Sequence, residues 1–361
     1  MRSKWLALAA AFFLWQGGQD GAFQPALPGY RYEFPRDYFN HPEYGTEWWY
    51  YTGNVATASG KRFGFELTFF RVGVERDKAK SKADGFPDVY MAHLALSDLD
   101  GGAYYHAQRL NRPRWAGVDE TRAQILNGNW SVTWHGDDQE LKAVDPRFSF
   151  SLLAHPEKPV VVHGENGVSQ KGEGTGHASH YFSFTRMKTT GTIVLNGKNY
   201  TVSGLSWMDH EFFTEQLAPG QVGWDWFSVQ LDDNTELMLF ELRRADGSID
   251  PYSAGTYVDT QGKPRHLRFG EFTLTPKGEQ WGRQGSSAKY PLEWRIAVPS
   301  LGLDLEVTTQ LKQQEFSGGG QLATNYWEGA IDLRGKRGGA DIHGAGYLEM
   351  TGYDKPVKVG L

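Results

Sequence analysis

Two stretches of the chain, GLSWMD at residues 204–209 and GAGYLE at residues 344–349, share one order of glycine, aromatic, aliphatic and acidic residues. Each stretch follows an aromatic pair, which lies in HYF at residues 180–182 and in NYW at residues 325–327. The segment between the two halves is shorter in the second copy, as a trimmed hairpin turn would make it. The repeat predicts a duplicated β domain.

Successive side chains of a β-strand point to opposite faces, so residues two apart share a face. Trp207 and Asp209 are therefore predicted to point the same way, and so are Tyr347 and Glu349. Each copy would direct an aromatic ring and a carboxylic acid into one interior.

The composition favours β structure. The 361 residues are 39% hydrophobic and 22% charged, which is typical of a soluble globular protein long enough for two domains. Aromatic residues make up 14% of the chain and occur with 44 glycines, which favours wide interiors lined by rings over a helical core.

Short alternating segments separated by turn residues begin at Glu47 and continue along the chain. Asp-Gly at 100–101 and 246–247 and Asn-Gly at 196–197 are turns that tight hairpins prefer. We predict only one short helix, at residues 119–126.

The alternation is interrupted at residues 214–221, which contain a Pro-Gly pair, and then a new tryptophan-led series of strands begins. We therefore predict an all-β protein with two tandem lipocalin-like (calycin) antiparallel β-barrels. The first domain is predicted at residues 23–213, with an extended lead-in, and the second at residues 222–361.

The N-terminus has the pattern of an export signal. Arg2 and Lys4 precede an apolar run at residues 5–15 that is too short to span a bilayer, so residues 1–22 are predicted to be a signal peptide. The mature protein is expected to be periplasmic or secreted, and membrane-proximal but not membrane-spanning. The absence of cysteine rules out disulfides and a thiol nucleophile, and the net charge of −6 argues against nucleic-acid binding.

The densest group of ionisable residues is SWMDHEF at 206–212. On a strand Asp209 and Glu211 share one face and His210 takes the other. A carboxyl group buried beside indole rings keeps its proton near neutral pH, so Asp209 is a candidate general acid. The alternative is that Asp209 caps a turn or pairs with an arginine such as Arg71 or Arg243, and the residues leave both interpretations open.

Other acids lie next to ring pairs. Glu47 precedes Trp48, and Glu328 follows Trp327, and both are expected to form hydrogen bonds with Tyr or Arg side chains. Glu66 alternates with apolar neighbours, and the pattern does not decide whether it points inward. The sequence contains no phosphate-binding loop, dinucleotide fingerprint or convincing metal motif, so we predict no cofactor and no metal.

The motifs EWWY at 47–50, LSWMDHE at 205–211, GWDW at 223–226, YWEG at 326–329 and GYLEMTGY at 346–353 resemble the AttH/CrtC-like family, which includes carotenoid 1,2-hydratase (hydroxyneurosporene synthase). The resemblance covers about residues 30–353. It implies two lipocalin-like domains in tandem, an apolar ligand pocket at or near their junction, and no cofactor.

In the hydratase branch of that family, a His-x-Trp pair and a Tyr-x-Asp pair serve the acid-catalysed addition of water to a terminal isoprenoid double bond. The resemblance places His180 and Asp209 at the His and Asp positions, with Phe182 in place of the Trp and Trp207 in place of the Tyr. Phe182 lacks an indole donor and Trp207 lacks a phenol, so the resemblance alone leaves hydration open while a protonating Asp209 remains.

We therefore expect an exported protein that binds an apolar, isoprenoid or lipid-like small molecule at the interdomain pocket. One hypothesis adds hydratase-type acid catalysis at a carbon–carbon double bond. The alternative is a non-catalytic periplasmic carrier or an accessory partner of an ABC-type permease. The candidate catalytic residues are Asp209, His180, Trp207 and His210. The candidate ligand-binding residues are Phe182, Glu211, Glu47, Trp48, Trp224, Tyr326, Trp327 and Tyr347.

Overall fold

A computed structural model describes residues 22–74, 87–318 and 325–357. The predicted signal peptide lies outside the described residues except for Ala22. Within the described ranges the chain forms strands and two short 3-10 helices, at Arg36–Tyr38 and Pro299–Leu301. Neither of these helices has the length or apolarity needed to cross a membrane.

The first sheet is antiparallel and follows the order β4-β3-β2-β1-β13-β12-β9-β8-β7-β6-β5, with β10 and β11 added to β12. Its strands are β1 (Thr46–Ala56), β2 (Arg62–Gly73), β3 (Asp88–Asp98), β4 (Ala103–Asn111), β5 (Ala116–Asp119), β6 (Gln124–Asn127), β7 (Trp130–His135), β8 (Asp138–Val144), β9 (Phe148–Pro156), β10 (Val161–Val162), β11 (Ser169–Gln170), β12 (Ala178–Leu195) and β13 (Lys198–Phe213).

The second sheet is also antiparallel and follows the order β17-β16-β15-β14-β23-β22-β20-β19-β18, with β21 added to β22. Its strands are β14 (Gln221–Leu231), β15 (Glu236–Arg244), β16 (Ala254–Val258), β17 (Pro264–Arg268), β18 (Thr273–Trp281), β19 (Tyr290–Val298), β20 (Leu303–Thr308), β21 (Glu315–Ser317), β22 (Asn325–Arg337) and β23 (Ala340–Thr351).

The two sheets repeat one topology, since in each the first strand pairs with both the second and the last strand. Each sheet curls around a core of its own, and in the first sheet β6 packs against β2, β3 and β4. The predicted all-β class with two lipocalin-like antiparallel units is therefore confirmed, and residues 214–220 connect the two sheets.

The predicted helix at residues 119–126 is wrong. Strand β5 ends at Asp119, and β6 starts at Gln124 after a tight turn. The Asp119 carboxylate accepts hydrogen bonds from the backbone N–H groups of Thr121 and Arg122, so a side chain holds this turn in a non-helical form.

The repeated glycine permits close approach of strands. A Cβ at Gly204 would lie 2.1 Å from the carbonyl oxygen of Asn54 in β1, and a Cβ at Gly344 would lie 2.7 Å from that of Gln230 in β14. Only glycine fits at these places without moving a strand.

Alternate side chains of the strands at the junction point to opposite sides, one set into the core of the sheet and the other toward the second sheet. In β1, Trp49 and Tyr51 belong to the first core, whereas Tyr50 packs in a third apolar cluster between the sheets. Trp226 of β14 and Tyr347 of β23 belong to the same junction cluster. Each such ring contributes about 1.5–3 kcal/mol by leaving water, which holds the two sheets together and positions the site.

Candidate active site between the two sheets

A cavity of about 200 Å³ lies at the junction. Its wall consists mainly of alternate residues from β1, β2, β3 and β13 of the first sheet and from β14, β15, β22 and β23 of the second. The rings of Trp48, Phe70, Trp224, Trp226 and Phe240 supply much of its apolar surface. Such a space, lined by rings and a few polar groups, suits an apolar small molecule.

Asp209 of β13 lies in this wall and is only 4% exposed. Tyr181 Oη donates to its Oδ2 at 2.8 Å and Trp207 Nε1 donates to its Oδ1 at 2.5 Å. Ser183 Oγ donates a further short hydrogen bond to Oδ1. Burial raises the pKa of Asp209 to about 7, although these three donors favour the carboxylate. The group can therefore give or take a proton near neutral pH.

A chain of hydrogen bonds connects Asp209 to the second sheet. Ser183 Oγ lies 2.7 Å from His163 Nε2, and His163 Nδ1 lies 2.8 Å from Thr256 Oγ1 of β16. Burial lowers the pKa of His163, so its ring is neutral and carries one N–H. Since Ser183 donates to Asp209, Nε2 must donate to Ser183 and Nδ1 must accept from Thr256. This path orients the hydroxyl group that contacts the acid.

Glu211 lies two residues beyond Asp209 on the same face, beside Lys171. Lys171 Nζ is 3.8 Å from Glu211 Oε2 and 3.9 Å from the ring centroid of Phe240. Gln216 Nε2 also donates to Glu211 Oε2, at 3.0 Å. Burial raises the pKa of Glu211 and lowers that of Lys171, while the attraction between them opposes both shifts. The cavity thus has an amino group next to its acids.

The second copy of the repeated motif supplies an equivalent acid. Glu349 faces the cavity, and Trp224 Nε1 donates to its Oε2 at 2.9 Å. Burial raises the pKa of Glu349 to about 8. The duplication therefore places two carboxyl groups, each hydrogen-bonded to an indole, in one cavity wall.

The structure places the sequence-predicted residues in three environments. Asp209, Glu211, Trp48, Trp224 and Tyr326 line the cavity. Trp207 and Tyr347 pack in the junction cluster beside it. The remaining candidates, His180, Phe182, His210, Glu47 and Trp327, alternate with cavity-facing or junction residues and point into the interior of a sheet.

His180 is not brought together with Asp209. It pairs in register with Phe212, whereas Ser183 lies opposite Asp209. His180 Nδ1 contacts the Gly167 carbonyl oxygen at 2.8 Å, and burial lowers the pKa of this imidazole to about 4. Alternation on β12 gives the junction-facing positions to Tyr181 and Ser183, and both contact the acid.

Glu47 and His210 belong to a buried network inside the first sheet. Glu47 accepts from His41 Nδ1 at 2.7 Å, from His210 Nε2 at 2.9 Å and from Arg71 Nε at 3.1 Å. Although burial opposes ionisation, these partners hold the pKa of Glu47 well below its usual range. His41, Glu47 and His210 are close enough together to hold a metal ion, but Arg71 and the backbone N–H of His41 already occupy the carboxylate. The donor set fits a structural charge network.

Sequence reasoning did not single out Tyr181, Ser183, His163 or Lys171 as site residues. The repeat carried a signal for Tyr181, because it occupies in HYF the position that Tyr326 occupies in NYW. The other three residues belong to no sequence motif. His163 and Lys171 reach the site from loops, and Ser183 reaches it because of the register in which β12 pairs with β13.

Two curled antiparallel sheets that enclose a junction cavity lined by acids and rings define an all-β, lipocalin-like protein. Residues 25–353 match the AttH-like family, and the chain belongs to that family. The crystal structure of a putative AttH from Nitrosomonas europaea is 30% identical with a TM-score of 0.81, and the match covers 92% of this chain and 100% of that one.

Two relatives with named activities are more distant. Kievitone hydratase from Nectria haematococca is 15% identical with a TM-score of 0.69 over 92% of this chain and 98% of its own, and it shows the shared fold. The dehydratase asqC of Emericella nidulans is 20% identical over 285 residues, which is 74% of this chain and 78% of that protein. The relatives of this fold thus include a hydratase and a dehydratase.

Proposed function

We propose that this protein binds an apolar, isoprenoid or lipid-like molecule in the junction cavity and adds or removes water at a carbon–carbon double bond, with Asp209 as the acid. One observation supports this proposal most directly. Asp209 lies in a cavity wall lined by rings, its pKa is about 7, and it accepts hydrogen bonds from three donors. A carboxyl group of that pKa is a proton donor matched to neutral pH.

The surroundings of Asp209 support this chemistry. Protonation of an alkene produces a positive charge on carbon, and the rings of Trp226 and Tyr50 line the cavity, where they can stabilise it. Hydration and dehydration are one reaction in two directions, so the Asp209 carboxyl group serves both, as the acid in hydration and as the base in dehydration. This agrees with relatives that are named as a hydratase and a dehydratase.

The experiment supplies the purified protein with alkene and alcohol probes in ¹⁸O-labelled water and follows the products by mass spectrometry. The probes are dihydromyrcene and its hydration product dihydromyrcenol, with neurosporene and kievitone as larger compounds. We expect labelled alcohol from the alkene, and we expect Asp209→Asn to abolish it while ligand binding stays. Glu241→Gln is the control, because Glu241 is a buried acid of β15 outside the cavity wall, and burial raises its pKa to about 7 as well.

Retained turnover in Asp209→Asn would exclude Asp209 as the acid. Binding of the probes without conversion of any of them would instead favour the carrier alternative.

We also propose that the mature protein is exported. Arg2 and Lys4 followed by the apolar run at 5–15 support this. Cell fractionation followed by N-terminal sequencing tests it, and a cytoplasmic protein that still begins at Met1 would contradict it.

A further inference from the structure

Glu66 and Glu328 lie together in the cavity wall on the far side of Tyr50 from Asp209. In the register of the first sheet, Tyr50 of β1 is opposite both Asp209 of β13 and Thr68 of β2. Glu66 lies two residues from Thr68 and so shares its face. Adjacent strands are about 4.8 Å apart, which places the β2 and β13 rows about 10 Å from each other. A ligand in the cavity can therefore contact both acid positions.

The second sheet brings Glu328 to Glu66. Tyr326 Oη donates to Glu66 Oε1 at 3.2 Å, and Thr68 Oγ1 donates to the same oxygen at 3.0 Å. His93 Nδ1, 2.7 Å from Tyr326 Oη, fixes the phenol. Glu328 lies two residues after Tyr326 on the same face of β22 and lines the cavity. The Oε1 atom of Glu66 is thus fixed by two hydrogen bonds.

One oxygen of each acid lacks a hydrogen-bond partner of good geometry. Within the described ranges these are Glu66 Oε2 and Glu328 Oε1, although Glu328 interacts with Glu66 and with Tyr50, and the two acids are only 1% and 2% exposed. Leaving a buried polar oxygen unpaired costs about 1–3 kcal/mol. Both residues belong to the cavity wall, so an oxygen-bearing or nitrogen-bearing ligand can meet this need.

The charge of the pair selects the ligand group. Burial raises the pKa of Glu66 to about 7, and burial together with the charge of Glu66 raises that of Glu328 further. The pair therefore holds a proton at neutral pH and offers both a donor and an acceptor. A hydroxyl group is both as well, whereas a ligand carboxylate would be repelled by the charge on Glu66.

We propose that Glu66 and Glu328 form a hydroxyl-binding site that holds the water to be added or the alcohol group to be lost. The proposal rests on the proposed function and deepens it. In hydration, Asp209 gives a proton to one alkene carbon, water oxygen bonds to the other, and Glu66 takes a proton from that water. After hydration, exchange with solvent returns the proton from Glu66 to Asp209, and dehydration reverses each step.

The test measures binding at early times, before any conversion of the probes, so it is separable from turnover. Dihydromyrcene and dihydromyrcenol, which differ by one water molecule, compete with the neutral fluorescent probe N-phenyl-1-naphthylamine for the cavity. We expect the wild type to prefer the alcohol about tenfold, as a hydrogen bond to a charged group would give. Glu66→Met and Glu328→Met should each lose most of this preference and still bind the hydrocarbon. Glu241→Met is the matched control and should keep the preference.

A second measurement keeps the proposal testable if the Met variants do not fold. The double variant Glu66→Gln/Glu328→Gln keeps the volume of the pair but has no titratable proton there. In the wild type the alcohol preference should fall about fivefold from about pH 8 to about pH 6, because protonated Glu66 is a weaker acceptor. The double variant should show no such fall, although it retains Asp209. The other titratable groups that face Glu66 are Glu349, His93, Tyr50, Tyr104, Tyr326 and Tyr347.

Equal binding of the two probes by the wild type would overturn the proposal. So would an alcohol preference that survives in the Met variants or a pH dependence that survives in the Gln variant. Failure of the proposed function has a different signature, which is turnover that persists in Asp209→Asn.

Discussion

Trp226 of the second sheet donates a hydrogen bond from Nε1 to the phenol oxygen of Tyr181 in the first sheet at 3.1 Å. Tyr181 in turn donates to Asp209 Oδ2 at 2.8 Å. The acid of one sheet is therefore oriented by a ring of the other, and the proton affinity of Asp209 depends on the packing of the two domains.

Removal of this phenol should change the pH dependence of activity. The hydrogen bond from Tyr181 favours the carboxylate, so Tyr181→Phe should raise the pKa of Asp209 above about 7. In hydration the acid is active when protonated, so the alkaline limb of the pH–rate profile for hydration should move up by about half to one unit. An unshifted limb with a lower rate would indicate that Tyr181 acts only through packing.

Asp209 should reduce stability at high pH. The folded protein binds its proton more tightly than the unfolded chain does, because the pKa is about 7 in the fold and 3.8 for the free side chain. Stability attributable to this proton is complete below about pH 4 and is lost as the pH rises through about 7. Asp209→Asn should therefore gain stability relative to the wild type between about pH 5 and about pH 8, by on the order of 3 kcal/mol. Urea denaturation measures it, and a difference that is constant with pH would show that Asp209 has an ordinary pKa.

The Glu47 network should be a large contributor to stability. Glu47→Gln leaves Arg71 and two imidazoles around a neutral group, and breaking a buried pair costs about 3–5 kcal/mol. Glu306→Gln is the control, because Glu306 forms an exposed pair with Arg334 at 3.4 Å that should be worth less than about 1 kcal/mol. Equal losses in the two variants would argue against the network.

The same network should limit the stability of the protein at acidic pH. The folded pKa of Glu47 is depressed, so its stabilising effect is present above the unfolded value of about 4.3 and is lost as the pH falls below that value. The midpoint of urea denaturation should drop steeply below about pH 4 in the wild type. The drop should be shallower in Glu47→Gln, and parallel curves would contradict this.

Metal should not stabilise the protein through His41, Glu47 and His210. Arg71 and three other donors occupy the Glu47 carboxylate, so added Zn²⁺ or removal of metal by EDTA should leave the melting temperature unchanged. A rise in melting temperature with Zn²⁺ that disappears in His210→Gln would show that a metal replaces the arginine.

Alternation in the sequence was enough to assign faces. It predicted that Asp209 and Glu211 share a face opposite His210, and the structure has the first two in the cavity wall and His210 inside the first sheet. It did not predict which residue would contact Asp209, because the register of β12 on β13 depends on a bulge between Phe184 and Met187 and on the length of the hairpin. The family resemblance favoured His180 as the partner of Asp209, whereas the register of the strands places Tyr181 and Ser183 beside this acid.

By itself, the sequence determined the β class, the duplication and the face on which each repeated acid lies, because a period of two residues is a local property of the chain. Only the tertiary structure decided that the outer faces of the two sheets meet and enclose one cavity. Glu66 and Tyr326 are 260 residues apart, and their contact depends on how two curled sheets pack. Burial at that junction also raises the proton affinities of Asp209, Glu66 and Glu349, since the energy of a charge depends on its surroundings in space and not on its neighbours in the chain.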